Sequence, residues 1–412
     1  MNVAEQPEKT GLRSLPRNVW IVTLTSFLTD ISSEMVLNLL PLFLANVLGV
    51  HTSVIGLIEG IAESTASILK VFSGWLSDKL GRRKWLTVLG YTLSSVSKPF
   101  LYFATTWPGV LLVRFADRVG KGVRTAPRDA LIADSIDTRH RGLAFGLHRA
   151  GDTAGAMIGL IIALLVVAAA QSQAVDLSRN TFQIVVLVSI IPAFLAVIVL
   201  AFGAREVPVT GVREAPNLSL RGMPSSFRRF LVVVVIFTLG NSSDAFLVLR
   251  AQERGLNVLG VLGMLITFNF VYAFIAGPAG ALSDRIGRRR LILIGWGVYG
   301  LIYLGFAFVS SAWEVWVLYA LYGIYYGVFE GASKALVADL IPSEKRGTAY
   351  GIYNAAIGIV ALPASLIAGI LWQGLGTWTG FGPAAPFLAG AVLSLTAMVL
   401  FAFWKPAPTP TP

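Results

Sequence analysis

The sequence predicts an all-α membrane protein of twelve transmembrane helices, arranged as two pseudo-symmetric six-helix bundles. Three observations predict it. Of the 412 residues 55% are hydrophobic and only 13% charged, and a mean hydropathy of +0.71 belongs with chains embedded in lipid. Twelve apolar runs each reach about 20 residues, the length a helix needs to cross hydrocarbon. The second half of the chain also repeats motifs of the first at a nearly constant offset.

In chain order the runs cover residues 19–47, 53–77, 85–105, 109–135, 142–170, 181–203, 229–250, 257–281, 290–310, 313–340, 347–373 and 383–404. They are too long for strands and lack period-two alternation. The longest polar interval, 204–228, contains Pro208, Pro216 and Pro224 and divides the runs six and six. The expected organisation is therefore an amino-terminal bundle (1–203), a linker (204–228) and a carboxyl-terminal bundle (229–412). Residues 1–17 are polar and lack the apolar core and cleavage site of a signal peptide, so the amino terminus is expected to be retained.

Charge fixes the expected orientation. The termini, the linker and the loops after spans 2, 4, 8 and 10 hold 21 Lys and Arg, whereas the opposite loops hold three, Arg179, Arg250 and Arg254. By the positive-inside rule both termini are cytoplasmic, in a plasma membrane of the bacterial inner-membrane type. The net charge of +11 is thus a topology signal; the basic residues form no aromatic-interleaved face for nucleic acid. Cysteine is absent, and His51, His140 and His148 lack zinc-ligand spacing. There is no G-x-x-x-x-G-K-[ST] phosphate loop and no nucleophile–base constellation. Neither an enzyme nor a cofactor or metal is expected.

The repeats are specific. GWLSDKLGRRK (Gly74 to Lys84) recurs as GALSDRIGRRR (Gly280 to Arg290), 206 residues later and again after the second span of its half. DSIDTRHRGLAFG (Asp134 to Gly146) recurs as DLIPSEKRGTAYG (Asp339 to Gly351), 205 residues later. DISSE (Asp30 to Glu34) is echoed by GNSSD (Gly240 to Asp244) in the first span of each half. Matched order and loop position argue for duplication of a six-helix unit.

On these residues the chain resembles the major facilitator superfamily of transporters over nearly its whole length. Gly74-x-x-x-Asp78-x-x-Gly81-Arg82-Arg83 looks like that family's signature between helices 2 and 3, and the second copy is nearly as complete. The resemblance implies two bundles around a central cavity that opens alternately to each side by rocking. It also implies gating roles for Gly74, Asp78, Gly81, Arg82, Asp134, Asp284, Arg288 and Asp339, with Arg82 meeting Asp134 and Arg288 meeting Asp339 as latches of the outward-facing state. The competing reading of the basic triplets is topology alone. The Gly-Pro motif that many drug/proton antiporters of the family carry in helix 5 is missing, with Gly151-Asp152-Thr153 in its place.

Span 4 departs from the family pattern. RFADRVGKGVRTAPRD (Arg114 to Asp129) holds five cations and two acids, and Lys121 and Arg124 stand where the family often has Gln and Gly. Five cations exposed at mid-membrane would cost about 12 to 18 kcal/mol. At 100° per residue, with Arg114 at zero, Arg118 falls at about +40°, Lys121 at about −20°, Arg128 at about −40° and Arg124 at about −80°. Such a face must look onto water, buried acids or an anionic ligand. Acids are available: Asp30 and Glu34 in span 1, Glu59 and Glu63 in span 2, Asp152 in span 5, Asp244 in span 7, and Glu330 beside Lys334 in span 10.

Arg114, Arg118, Lys121, Arg124 and Arg128 are therefore the candidate solute-binding residues, and Asp30, Glu34, Asp152, Asp244 and Glu330 the proton-coupling candidates. The structural alternative pairs the cations with Asp30, Glu34, Asp117, Asp129 and Asp152 in a network that stiffens the bundle. Among weaker signals, Gly142, Gly146, Gly151, Gly155 and Gly159 give span 5 a close-packing edge. Tyr319, Tyr322, Tyr325 and Tyr326 either pack or face the cavity. The reading is a monomeric secondary transporter, symporter or antiporter, that moves a small, polar, anionic solute across the bilayer using an ion gradient, protons being the candidate ion. A proton-driven exporter of drugs or amphiphiles stands second. A non-transporting receptor on the same fold stands third.

Overall fold

Each apolar run of the sequence is a helix. The computed structural model describes residues 11–12, 15–171, 174–208, 218–342 and 345–403, with backbone alone at 138, 277, 279–285 and 329–331. The amino-terminal half contains α1 (Arg17–Val47), α2 (Thr52–Leu80), α3 (Arg83–Ser97, prolonged by a 3-10 turn Lys98–Phe103), α4 (Trp107–Asp134), α5 (Arg141–Ala170) and α6 (Arg179–Gly203). The carboxyl-terminal half contains α7 (Ser225–Glu253), α8 (Val258–Ile286), α9 (Arg288–Phe308), α10 (Ala312–Leu340), α11 (Arg346–Gln373) and α12 (Ala385–Phe403).

Local chemistry sets the ends. Pro108 sits in the first turn of α4, where a missing N–H costs nothing. The Ser178 side chain accepts the Thr181 N–H at the start of α6, and Ser311 with Glu314 forms a capping box on α10. Gly81, at φ 61°, closes α2 in the left-handed region, which a side chain disfavours. Arg250, counted above among loop cations, is fully buried. Its Nε and Nη2 donate to the carbonyls of Phe306 and Ala307 at 3.0 Å each, capping α9.

Two helices are interrupted inside the membrane. In α1 the ladder breaks at residues 38–39, ahead of Pro41, and resumes as a π-turn over Phe43–Val47. In α7 residues 241–244 are unwound between Ser225–Gly240 and Ala245–Glu253. Backbone freed at that depth survives only where protein or a water-filled cavity satisfies it. Here Tyr299 Oη donates to the Gly240 carbonyl at 3.1 Å, and the Ser243 N–H donates to Ser365 Oγ at 3.2 Å.

The halves repeat in packing as well as in sequence. In the first, α1 packs on α5 and α6, and α4 on α2 and α3; in the second, α7 packs on α11 and α12, and α10 on α8 and α9. The two most extensive pairings between halves, α2 with α11 and α5 with α8, are related by the same symmetry. The glycine edge of α5 serves packing: an added Cβ at Gly155 or Gly159 would meet the Phe27 or Ile31 carbonyl oxygen at 2.5 Å. Gly142 and Gly146 take no part, since nothing lies within 4 Å of theirs. Phe202, Phe308 and Leu112 are exposed on the outside, where an apolar surface faces lipid at no cost. Among the described residues eight helices are long and apolar enough to cross a membrane by composition alone. Of the others, α2, α4 and α10 carry ionisable residues, and α3 gives way to its 3-10 turn at Lys98-Pro99.

Candidate functional site

Between the halves lies a cavity of about 360 Å³, lined by α1, α2 and α4 from one side and by α7, α10 and α11 from the other. Its volume is in the range of small-molecule sites. The ionisable residues in its wall are Glu34, Glu59, Glu63, Arg114, Arg118 and Asp244. Four carboxylates thus face two guanidiniums.

Both guanidiniums have carboxylate partners. Arg114 is buried and grips Glu59 through both arms, Nη2 to Oε2 at 2.8 Å and Nε to Oε1 at 3.3 Å. Arg118 lies 3.5 Å from Glu63 Oε1, and Asp117 sits between the two arginines at 3.9 and 3.8 Å. Burying such charges is tolerable because they are paired. The Glu34 carboxylate accepts from Asn38 Nδ2 at 2.7 Å, and Asp244 accepts from Tyr322 Oη at 3.1 Å. Neither Glu34 nor Asp244 has a cation within ion-pair distance among the described residues.

The rest of the α4 stripe is accounted for one cation at a time. Arg124 is buried, donates to Ser94 Oγ at 2.7 Å and lies 4.4 Å above the Tyr91 ring. Arg128 holds Asp129 Oδ1 through Nε at 3.0 Å and Nη2 at 2.8 Å, and reaches Ser26 Oγ at 3.3 Å. Lys121 is exposed; its electrostatic neighbours are Arg118, Glu63, Arg124 and Asp30, and its ammonium has no ion pair among the described residues. Lys98 is buried on the hydroxyls of Ser32 and Ser33, at 2.8 and 3.0 Å.

Of the five cations expected to bind solute, the structure brings Arg114 and Arg118 to the cavity wall. Arg124 and Arg128 are turned into the amino-terminal bundle. Of the coupling candidates, Glu34 and Asp244 line the cavity, whereas Asp30 and Asp152 lie outside its wall. The side chains of Glu330 and Asp284 lie outside the described residues. Tyr326 lines the cavity, while Tyr319, Tyr322 and Tyr325 are buried among one another. The sequence offered Glu59 and Glu63 as acids available to the α4 face without counting them among the site residues, and it did not place the unwound segment of α7. A signal for that segment was present, since Gly240-Asn-Ser-Ser-Asp244 is a run of turn-forming residues inside an apolar span.

The cavity is shut on the face opposite the termini. There the Thr52 N–H donates to Gln373 Oε1 at 2.9 Å, Thr52 Oγ1 donates to the Gly369 carbonyl at 3.0 Å, and Gln252 donates to Asp176 at 3.0 Å. On the terminus side of the cavity Lys70, Lys121 and Arg149 are exposed.

One expected contact is corrected. Arg83, not Arg82, bridges the signature: it holds Asp78 at 2.8 Å and also pairs with Asp134. The reason is local, because Gly81 turns the chain and leaves Arg82 exposed at the N-cap while Arg83 enters α3 facing inward. In the second half Arg288 pairs with Asp339 as expected. Each ion pair joins helices of one half.

Twelve helices in two symmetric halves around a charged central cavity, with broken helices at its edge, define a membrane transporter built on two parallel structural repeats. The sequence profile of the Major Facilitator Superfamily matches residues 22–269 and 229–412, and the chain belongs to that family. It is 38% identical over 397 residues to an uncharacterised MFS-type transporter of Methanocaldococcus jannaschii, covering 95% of this chain and 96% of that one. It is 26% identical over 334 residues to the multi-drug resistance efflux pump PmrA of Streptococcus pneumoniae, covering 79% and 82%. Among solved structures it is similar to a POT family transporter in complex with 5-aminolevulinic acid, with a TM-score of 0.77, 14% identity and 96% of each chain covered. The protein is a multi-pass secondary transporter.

Proposed function

We propose that this transporter exchanges protons for a solute that bears a positive charge, taken up in the central cavity. The observation that carries this reading is the charge balance of the wall. Glu59 and Glu63 are engaged by Arg114 and Arg118, which leaves Glu34 and Asp244 as carboxylates without a cation. A carboxylate that holds either a proton or a cationic cargo, but not both, couples their movements in opposite directions. The resulting process is antiport. Similarity to a multi-drug efflux pump supports the same reading. The expectation of an anionic solute becomes the second reading: with Arg114 and Arg118 already paired, it rests on Lys121, whose ammonium is exposed without an ion pair among the described residues.

In this reading the termini and linker are cytoplasmic, as the distribution of Lys and Arg indicates, and the conformer is open to the inside. The bundles 1–203 and 229–412 rock about the cavity. Gly74, Asp78, Gly81, Arg83 and Asp134, with Arg288 and Asp339, brace each bundle. Because each pair joins helices within one half, it supports rigid-body movement rather than a lock between halves.

The test is transport in proteoliposomes that enclose a pH-sensitive dye, with ethidium as the probe cation. Ethidium should drive proton movement in the opposite direction, and both Glu34→Gln and Asp244→Asn should abolish it. If ethidium moves no protons while an organic anion such as benzoate does, and Lys121→Gln removes that response, the anionic reading takes its place.

A further inference from the structure

A second group of ionisable side chains lies on α5, outside the cavity. His148 is only 4% exposed, yet neither ring nitrogen has a hydrogen-bond partner. One turn on, Asp152 places Oδ2 at 3.7 Å from His148 Nε2, beyond hydrogen-bond reach, and its buried Oδ1 is also unpartnered. A buried polar atom left unsatisfied costs about 1 to 3 kcal/mol. Three such atoms within a single turn call for an occupant.

The charged groups around the pair do not fill the gap. From α4, Arg128 and Asp129 face His148, and they are bonded to each other. From α5 itself Arg149 is nearby, and it reaches across to Tyr272 of α8. From α1, Asp30 faces Asp152, with Glu34, Arg124 and Lys121 as its own neighbours. No cluster suited to a metal ion is found among the described residues. A proton meets the part of that need at Nε2: with the ring protonated, its Nε2–H would donate to Asp152 Oδ2 as the 3.7 Å gap closes, turning the neutral ring and the carboxylate into an ion pair.

We propose that His148 and Asp152 form a proton-binding site separate from the solute cavity. The proposal rests on the proton-exchange reading and deepens it. Asp30 stands between this site and the cavity, near Asp152 on one side and one turn from Glu34 on the other. Helix α5 also packs on both α1 and, across the halves, on α8. A charge change at His148 is therefore felt on one of the helices that connect the two bundles, without any competition for the cargo's place.

The experiment uses the full chain in lipid. His51→Gln with His140→Gln leaves His148 as the single histidine, and nitrogen-15 spectra of labelled histidine read the charge of its ring directly. The ring should gain its charge as the pH is lowered. Asp152→Asn should lower the midpoint by about one unit, because the imidazolium loses its countercharge. Ring shifts that stay flat with pH, or a midpoint indifferent to Asp152→Asn, would overturn the proposal. In the ethidium assay His148→Gln should abolish proton movement while ethidium binding stays within about twofold, less than 0.5 kcal/mol. Unchanged proton movement in His148→Gln would sink this site and leave the exchange reading intact. Absence of ethidium-driven flux in the wild type would remove the exchange reading, and the spectra would still decide the site.

Discussion

At the scale of single residues, the α4 cations show how the membrane accepts charge. Arg114 is held by Glu59 from a neighbouring helix, out of water and in bidentate geometry. Removing one partner strands the other, at a cost of about 3 to 5 kcal/mol. Glu59→Ala should therefore lower the melting temperature of the purified protein sharply, and Glu59→Leu with Arg114→Leu should recover much of the loss. An additive double mutant would mean that the pair contributes nothing. A second prediction separates adjacent residues: Arg83→Gln should loosen the α2–α3–α4 corner and lower thermal stability, whereas Arg82→Gln should leave it within about 0.5 kcal/mol of wild type, as exposed surface substitutions do. The sequence offered both arginines equally. The left-handed turn at Gly81 decides which of them faces Asp78 and Asp134.

At the scale of elements, helix positions follow from hydropathy because each span has to satisfy its own backbone in lipid. The expected 53–77 and the observed Thr52–Leu80 are the same helix, and so are 347–373 and Arg346–Gln373. Interruptions were not legible in this way. A turn-forming run such as Gly240 to Asp244 weakens a helix without being bound to break it, so its unwinding depends also on the donor of Tyr299 and the acceptor of Ser365. The contact of α2 with α11 is also an element-scale fact. A Cβ added at Gly369 would meet the Ser53 Cα at 2.7 Å, and one at Gly60 would meet the Leu362 Cα at 2.8 Å. Bulk at either place opposes closure of the face opposite the termini. Gly369→Val should increase labelling of a cysteine placed at Ser53 by a membrane-impermeant reagent, in a chain that has no cysteine of its own. Equal labelling with and without Gly369→Val would show that this contact does not set the closed state.

At the scale of the whole molecule, transport requires the halves to separate where they now touch. Thr52 and Gln373 meet across the closed face, one from each half. A disulfide between Thr52→Cys and Gln373→Cys should stop turnover under oxidising conditions and release it on reduction, with solute binding from the open side retained. Transport that continues through the cross-link would exclude rocking of rigid halves. The two most extensive contacts between halves, α2 with α11 and α5 with α8, exchange under the internal symmetry, so one of them lies on each side of the pseudo-twofold axis.

The sequence by itself determined the twelve spans, the duplication and the membership of the family. These depend on residue type and spacing along the chain, and lipid makes that dependence strict. It also announced the charged face of α4, because 100° per residue is a property of any α-helix. Only the tertiary structure decided what that face meets. The rotation of α2 brings Glu59 and Glu63 onto Arg114 and Arg118, and the contact of α4 with α3 takes Arg124 onto Ser94 and Tyr91. Which acid neutralises which cation depends on helix rotation and depth, set by many weak packing contacts far apart in sequence. The charge left over in the cavity is a difference between those pairings, and no single stretch of the chain encodes it.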